Sequence, residues 1–219
     1  MKIGVMGGAS GTFTKDQLER AHEAGKQIAE HGCVLVTGAC PGLPLAAARG
    51  AYHSNGLVVG ISPALSLNEH VYQYKSPTDF HNVLIYTGSG LMGREVVNIR
   101  SSDMVVIIGG RSGTLGELSI AYDEGKLIGV LTGTGGISDM VKTILAACKK
   151  NTGAHVIYSK DPKKLIYKLI QAYQKVYYKH PSRFQLAPTK NSTKNPRPEM
   201  VRHSRFGKKP IQCSKLPRK

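Results

Sequence analysis

The run Gly109-Gly110-Arg111-Ser112-Gly113-Thr114, followed by Glu117, carries the residue types that phosphate chemistry uses. Glycine lets backbone N–H groups approach an anion, Ser112 and Thr114 add hydroxyl donors, and a helix starting here contributes the positive end of its dipole. Gly110, Arg111, Ser112, Gly113 and Thr114 are therefore candidate phosphate-binding residues. Two readings of Glu117 stand side by side. Thr114 and Glu117 have the spacing of a capping box, which accounts for both structurally, and Glu117 is equally a candidate catalytic carboxylate. Upstream, Arg94 and Asn98 lie at i,i+4 on one face of a helix expected to open after Gly93, with Arg94 in its first turn. An arginine beside a carboxylate clamps substrate oxygens while the carboxylate performs acid–base work; the alternative is a surface ion pair of Arg94 with Glu95 or Asp103.

Glycine clusters recur. Gly7-Gly8-Ala9-Ser10-Gly11, Gly38-Ala39-Cys40-Pro41-Gly42, Gly88-Ser89-Gly90 and Gly133-Thr134-Gly135-Gly136 each follow a short apolar run. One such cluster makes a tight turn and nothing more; several on one rim point to a phosphate-bearing ligand and add Gly8, Ser10 and Gly38 to the binding set. None matches Gly-x-x-x-x-Gly-Lys-[Ser/Thr], and none completes Gly-x-Gly-x-x-Gly after a strand, so ATPase and ordinary dinucleotide dehydrogenase readings lose their specific support.

The elements that must position these residues alternate. Strands are expected at Lys2–Met6, Val34–Thr37, Leu57–Ile61, Asn82–Tyr86, Met104–Ile108, Leu127–Leu131 and His155–Tyr158. Helices are expected at Lys15–His31, Pro44–His53, Met92–Ser101, Thr114–Glu124, Ser138–Lys150 and Lys163–Tyr177, the first opened by a capping box over Thr14-Lys15-Asp16-Gln17. This alternation predicts an α/β, doubly wound, mostly parallel sheet of about seven strands with helices on both faces. The long irregular stretch from Ser62 to His81 reads either as a functional loop or as a connection holding a short helix near Asn68–Tyr74.

The chain has 219 residues, 41% of them hydrophobic and 20% charged, ordinary values for a globular domain. Its net charge of +16 is unevenly spread: residues 180–219 hold eleven Lys and Arg against the single acid Glu199. Rich also in proline, that segment is expected to be a disordered basic tail following a domain over residues 1–179. It binds nucleic acid through phosphate charge, or is a solvated appendage. Cys33, Cys40, Cys148 and Cys213 lack metal-ligand spacing, so neither a disulfide framework nor a metal site is expected, and the thiols read as buried or incidental. No apolar run reaches the ~18 residues of a membrane span, and the start lacks a secretory apolar region, so a cytoplasmic protein with no membrane partner is expected.

Taken together, the motifs resemble the Rossmann-like LOG (Lonely Guy) proteins and their molybdenum-cofactor carrier-like relatives, over roughly residues 1–160. Pro-Gly-Gly-x-Gly-Thr-x-x-Glu of the LOG proteins aligns with Gly109 to Glu117, where Gly110, Gly113, Thr114 and Glu117 agree. Met-x-x-Arg-Lys falls at Leu91-Met92-Gly93-Arg94-Glu95, retaining Arg94. Gly109 stands where the family has Pro, Arg111 where it has the second Gly, and Glu95 where it has Lys. The resemblance implies hydrolysis of the N-glycosidic bond of a nucleoside 5'-monophosphate, with Arg94 positioning the substrate and Glu117 supporting the cation-like transition state or the attacking water. It implies no required cofactor beyond the nucleotide monophosphate ligand, and a homodimer. The run from Gly93 to Asp103 is closer to the carrier-like branch, in which the role is binding.

Overall fold

In the computed structural model, which describes residues 1–177, each β-branched run forms a strand, and an α-helix follows each strand except β3. The order is β1 (Lys2–Gly7), α1 (Lys15–Glu30), β2 (Val34–Thr37), α2 (Leu43–His53), β3 (Val58–Ser62), β4 (Val83–Tyr86), α3 (Gly90–Arg100), β5 (Met104–Ile108), α4 (Ser112–Asp123), β6 (Leu127–Leu131), α5 (Ile137–Cys148), β7 (His155–Ser159) and α6 (Pro162–Ala172). A π-helical turn, Glu69–Gln73, occupies the long connection after β3, and a second, Tyr173–Tyr177, extends α6. The short helical element expected near Asn68–Tyr74 is therefore present. The expected tail over residues 180–219 lies outside the described residues.

The seven strands form one sheet in the order β4-β3-β2-β1-β5-β6-β7, every neighbouring pair parallel. Central strands covered on both faces need apolar residues on both, and β5 shows the consequence. Met104, Val106 and Ile108 point into a core shared with α1, α2 and α6, while Val105 and Ile107 join Ile99, Leu118 and Val141 of α3, α4 and α5. α1 begins with the capping box read from its sequence: the Gln17 N–H donates to the Thr14 hydroxyl at 3.2 Å, and the Thr14 N–H to the Gln17 side chain at 2.8 Å.

The chain winds from β1 out to β4, then crosses back to start again at β5, beside β1. The loops leaving β1 and β5 consequently diverge to opposite sides of the sheet. A crevice opens at their carboxyl ends, the place where doubly wound sheets bind ligands.

Candidate functional site

A cavity of about 380 Å³ occupies that switch point. Its walls are the β1 exit (Gly7, Gly8, Ala9 and Ser10), Gly38 and Cys40 after β2, Leu91, Arg94 and Glu95 of α3, and Arg111 to Thr114 with Glu117 at the start of α4. Of the residues singled out from sequence, Gly8, Ser10, Gly38, Arg94, Arg111, Ser112, Gly113, Thr114 and Glu117 meet here. Gly110 does not line this cavity. It borders a second one of about 280 Å³ on the far side of Arg111.

α4 starts at Ser112, with Arg111 as its N-cap and no side chain capping its first N–H groups. That start corrects the capping-box reading of Thr114 and Glu117, because both residues lie inside the helix. Thr114 instead packs over Gly110, whose φ of 95° and missing Cβ are both needed, since a methyl group there would overlap the Thr114 side chain. Ser112, Gly113 and Thr114 form the first turn of α4 and line the cavity, and the first N–H groups of a helix have no partner within it.

Glu117, one turn further along α4, is 6% exposed. Burial pushes its carboxyl up to about 8; the Arg94 guanidinium pulls in the opposite direction, and the Glu95 carboxylate adds to the rise. A carboxyl raised this far above the ordinary carboxylate range can keep its proton near neutral pH.

α3 begins at Gly90, earlier than its sequence suggested, so Arg94 stands in the second turn and is 7% exposed. The surface ion-pair alternative fails on this burial, and Asp103 pairs instead with Lys2 at 3.2 Å. The Arg94 guanidinium lies in the space that a side chain at position 38 would take: a methyl group on Gly38 would overlap it. The Cys40 thiol lies in the same cavity; burial drives its titration up to about 11, with the Arg94 charge pulling the other way. The Arg94 Nε and the Asn98 Oδ1, one turn apart on α3, are buried without a hydrogen-bond partner, while the Asn98 amide nitrogen donates to Met6 Sδ at 3.2 Å. Buried orphans of this kind are uncommon and mark places where a ligand or ordered water completes the structure.

Glu95 and Cys40 are site residues that the sequence reading did not assign. Glu95 is 5% exposed and burial raises its carboxyl titration. It packs against α4 where Gly113 and Gly116 offer no side chains; its Oε1 and Oε2 lie 3.3 and 2.7 Å from where Cβ atoms at those glycines would be. Two glycines at i,i+3 on a helix were the available signal for a polar side chain buried against it. Cys40 reaches the cavity through the kink at Ala39, held at φ 50° by its N–H donating to the Thr37 hydroxyl at 3.0 Å.

Among the described residues no group of His, Cys, Asp and Glu is arranged to hold a metal, and no helix is long and apolar enough to cross a membrane.

A doubly wound parallel sheet with a glycine-lined cavity at its switch point defines a Rossmann-like nucleotide-binding fold of the LOG and molybdenum-cofactor carrier-like kind. More narrowly, the chain belongs to the SLOG cluster4 family, which it matches over residues 1–166. A protein of Archaeoglobus fulgidus is 36% identical over 131 residues, 60% of this chain and 80% of that one. The molybdenum cofactor carrier protein of Chlamydomonas reinhardtii superposes with a TM-score of 0.61 at 31% identity, covering 78% of this chain and 96% of that one. The molybdenum cofactor binding protein of Rippkaea orientalis does so with a TM-score of 0.64 at 29% identity, covering 79% and 96%.

Proposed function

We propose that the protein binds a nucleoside 5'-monophosphate in the first cavity and hydrolyses its N-glycosidic bond. The observation that carries this reading is Glu117, a buried carboxyl held mainly protonated at neutral pH beside a buried guanidinium with an unpartnered N–H. The 5'-phosphate sits on the N–H groups of the Gly7–Ser10 loop and of Ser112, Gly113 and Thr114, with Arg111 at its edge. Arg94 positions the sugar oxygens. The C1'–N bond breaks with its electron pair leaving on the base, and Glu117 delivers a proton to that base. The resulting carboxylate faces the oxocarbenium-like carbon, where it stabilises charge and takes a proton from the attacking water, whose oxygen bonds to C1'. The products are free base and ribose 5-phosphate, with Glu117 protonated again.

A binding-only reading has its own support in the named function of two similar solved structures, a molybdenum cofactor carrier and a molybdenum cofactor binding protein. The same cavity would hold such a cargo, and Glu95 in place of the LOG lysine favours this branch. Chromatography of the protein incubated with a panel of nucleoside 5'-monophosphates separates the two. Free base from the wild type but not from Glu117→Gln supports hydrolysis. Saturable binding with no base released supports the carrier reading.

Two further expectations belong to this reading. Leu65, Leu91 and Met92 are 77%, 55% and 74% exposed, and Leu91 also lines the cavity, which suits a homodimer formed beside the site. Light scattering of the wild type against Met92→Lys tests it, a monomeric wild type being the contrary outcome. Nucleic-acid binding by the basic residues 180–219 is tested by RNA affinity across a salt series with and without them; only a steep salt dependence lost on truncation supports it.

A further inference from the structure

The two cavities at the sheet rim are neighbours, and Gly8, Ser10 and Arg111 border both. The Arg111 guanidinium reaches across this seam and donates to the Ser10 carbonyl and, at 2.6 Å, to the Ser10 hydroxyl. No carboxylate pairs with Arg111 among the described residues, so a full positive charge stands uncompensated where the cavities join.

The second cavity differs in chemistry from the first. Much of its polar lining is already paired. The Gln17 amide nitrogen donates to the Thr134 carbonyl at 2.8 Å, and the Thr134 hydroxyl accepts the Gly109 N–H at 2.9 Å. The first N–H groups of α5, from Ile137 and Ser138, donate to the carbonyls of Gly110 and Gly109 at 3.0 Å each. What remains open is glycine backbone, the half-buried ring of Phe13 and the exposed Thr12. That lining suits a planar ring, with the Arg111 charge confined to the edge it shares with the first cavity.

We infer that the site takes a dinucleotide, two nucleoside halves joined through a diphosphate. One half occupies the first cavity, the diphosphate crosses the seam at Arg111 and the Gly7–Ser10 loop, and the second heterocycle rests against Phe13 in the second cavity. The inference rests on the proposed function, whose mononucleotide is the first of these halves. The sizes agree with it. At about 380 and 280 Å³ each cavity alone is at the low end of small-ligand sites, and joined they fall well within the ~300–1,000 Å³ range. Arg111 is also where this chain departs from the glycine of the LOG motif, so the charge at the seam is its own feature.

Calorimetric titration of the full-length protein with AMP, ADP and diadenosine 5',5'-diphosphate tests the inference. ADP supplies the second phosphate without the second ring, and its greater charge makes it the favoured ligand if the basic tail alone is responsible. The expected result is a dinucleotide dissociation constant at least tenfold below those of AMP and ADP. Thr12→Trp, at an exposed position lining only the second cavity, is expected to remove that advantage and leave AMP binding unchanged. A dinucleotide that binds no better than ADP, or an advantage that survives Thr12→Trp, overturns the inference while AMP binding leaves the proposed function standing. No binding of any of the three overturns both.

Discussion

Two groups of buried and half-buried polar side chains lie along the same rim of the sheet, and the fold treats them in opposite ways. Under the connection between β3 and β4, every ring nitrogen of His70 and His81 has a partner. His70 donates from Nε2 to the Pro77 carbonyl at 3.1 Å, and its Nδ1 is 2.8 Å from the Ser62 hydroxyl. His81 donates from Nδ1 to the Asp79 carbonyl at 2.8 Å, and its Nε2 is 3.1 Å from the Thr37 hydroxyl. At the switch point, by contrast, the cavity-lining Arg94 has its Nε buried without a partner and Glu117 is held away from its ordinary titration. A completed network builds scaffold, whereas an incomplete one in a cavity leaves its last bonds for a ligand. The regions meet at Thr37, whose hydroxyl serves His81 while the next residue, Gly38, makes room for Arg94.

The largest effect expected from breaking this contrast comes from Glu117→Gln. Base release should fall by about 10²–10⁴-fold, the usual contribution of a positioned acid–base group. Stability should move the other way. The carboxyl titrates at about 8 in the folded protein against 4.5 in the unfolded chain. Between those values the folded state keeps a proton that the unfolded state has lost, so wild-type stability drops as pH rises through the window, by a total on the order of a few kcal/mol. Glutamine has no such titration. Thermal melts from pH 5 to 9 should show the variant's advantage widening up to about pH 8 and then levelling; a constant gap would remove the buried proton from the account.

Next in size is Gly38→Ala. One methyl group displaces the Arg94 guanidinium, so the variant should lose about as much ligand affinity as Arg94→Ala, roughly ten- to a hundredfold for charge-assisted bonds to a phosphorylated ligand. The double variant should be no worse than either single one, since both remove the same contact. Additive losses would mean that Gly38 acts through something other than Arg94.

His70→Ala attacks the other region. It leaves a cavity and strips partners from the buried Ser62 hydroxyl and the Pro77 carbonyl, costing about 2–4 kcal/mol of stability in a denaturant melt. AMP affinity should not change, because residues 63–81 line neither cavity. An affinity loss matching the stability loss would join the two regions into one functional unit.

The sequence made one of these regions far more legible than the other. The strands were readable because β-branched runs bounded by glycine leave little choice of element, and β2, β5 and β6 fall on their expected residues. Gly8, Ser10, Arg94 and Ser112 to Glu117 were readable as site residues because parallel α/β topology gathers strand exits on one rim. The role of Glu117 was not. Thr14 to Gln17 and Thr114 to Glu117 have equivalent capping spacing, yet only the first forms a box, because α4 starts two residues before Thr114 and carries Glu117 into its buried face. Nor could spacing pair His70 with Ser62 or His81 with Thr37, contacts made only once a long connection folds back across the ends of β2 and β3.

The smallest expected effect is a pH dependence of opposite sign in that connection. Burial lowers the His81 titration from 6.5, with the nearby His70 acting in the same direction, while hydrogen bonding to the Asp79 carbonyl and the Asp79 charge oppose it. A ring that donates to Asp79 and accepts from Thr37 must be neutral; once protonated, both nitrogens donate and the Thr37 hydroxyl loses its acceptor. Below pH 6.5 the unfolded histidine takes up a proton that the folded one refuses. The His81 contribution is therefore complete above that pH and is lost as pH falls toward the lowered folded value. Acid thus weakens the scaffold through His81 while it stabilises the site through Glu117. His81→Gln should flatten the acid limb of the wild-type stability profile, and Glu117→Gln the limb between pH 5 and 8. If either substitution flattens the other's limb instead, the two regions are not the separate polar networks that their hydrogen bonds describe.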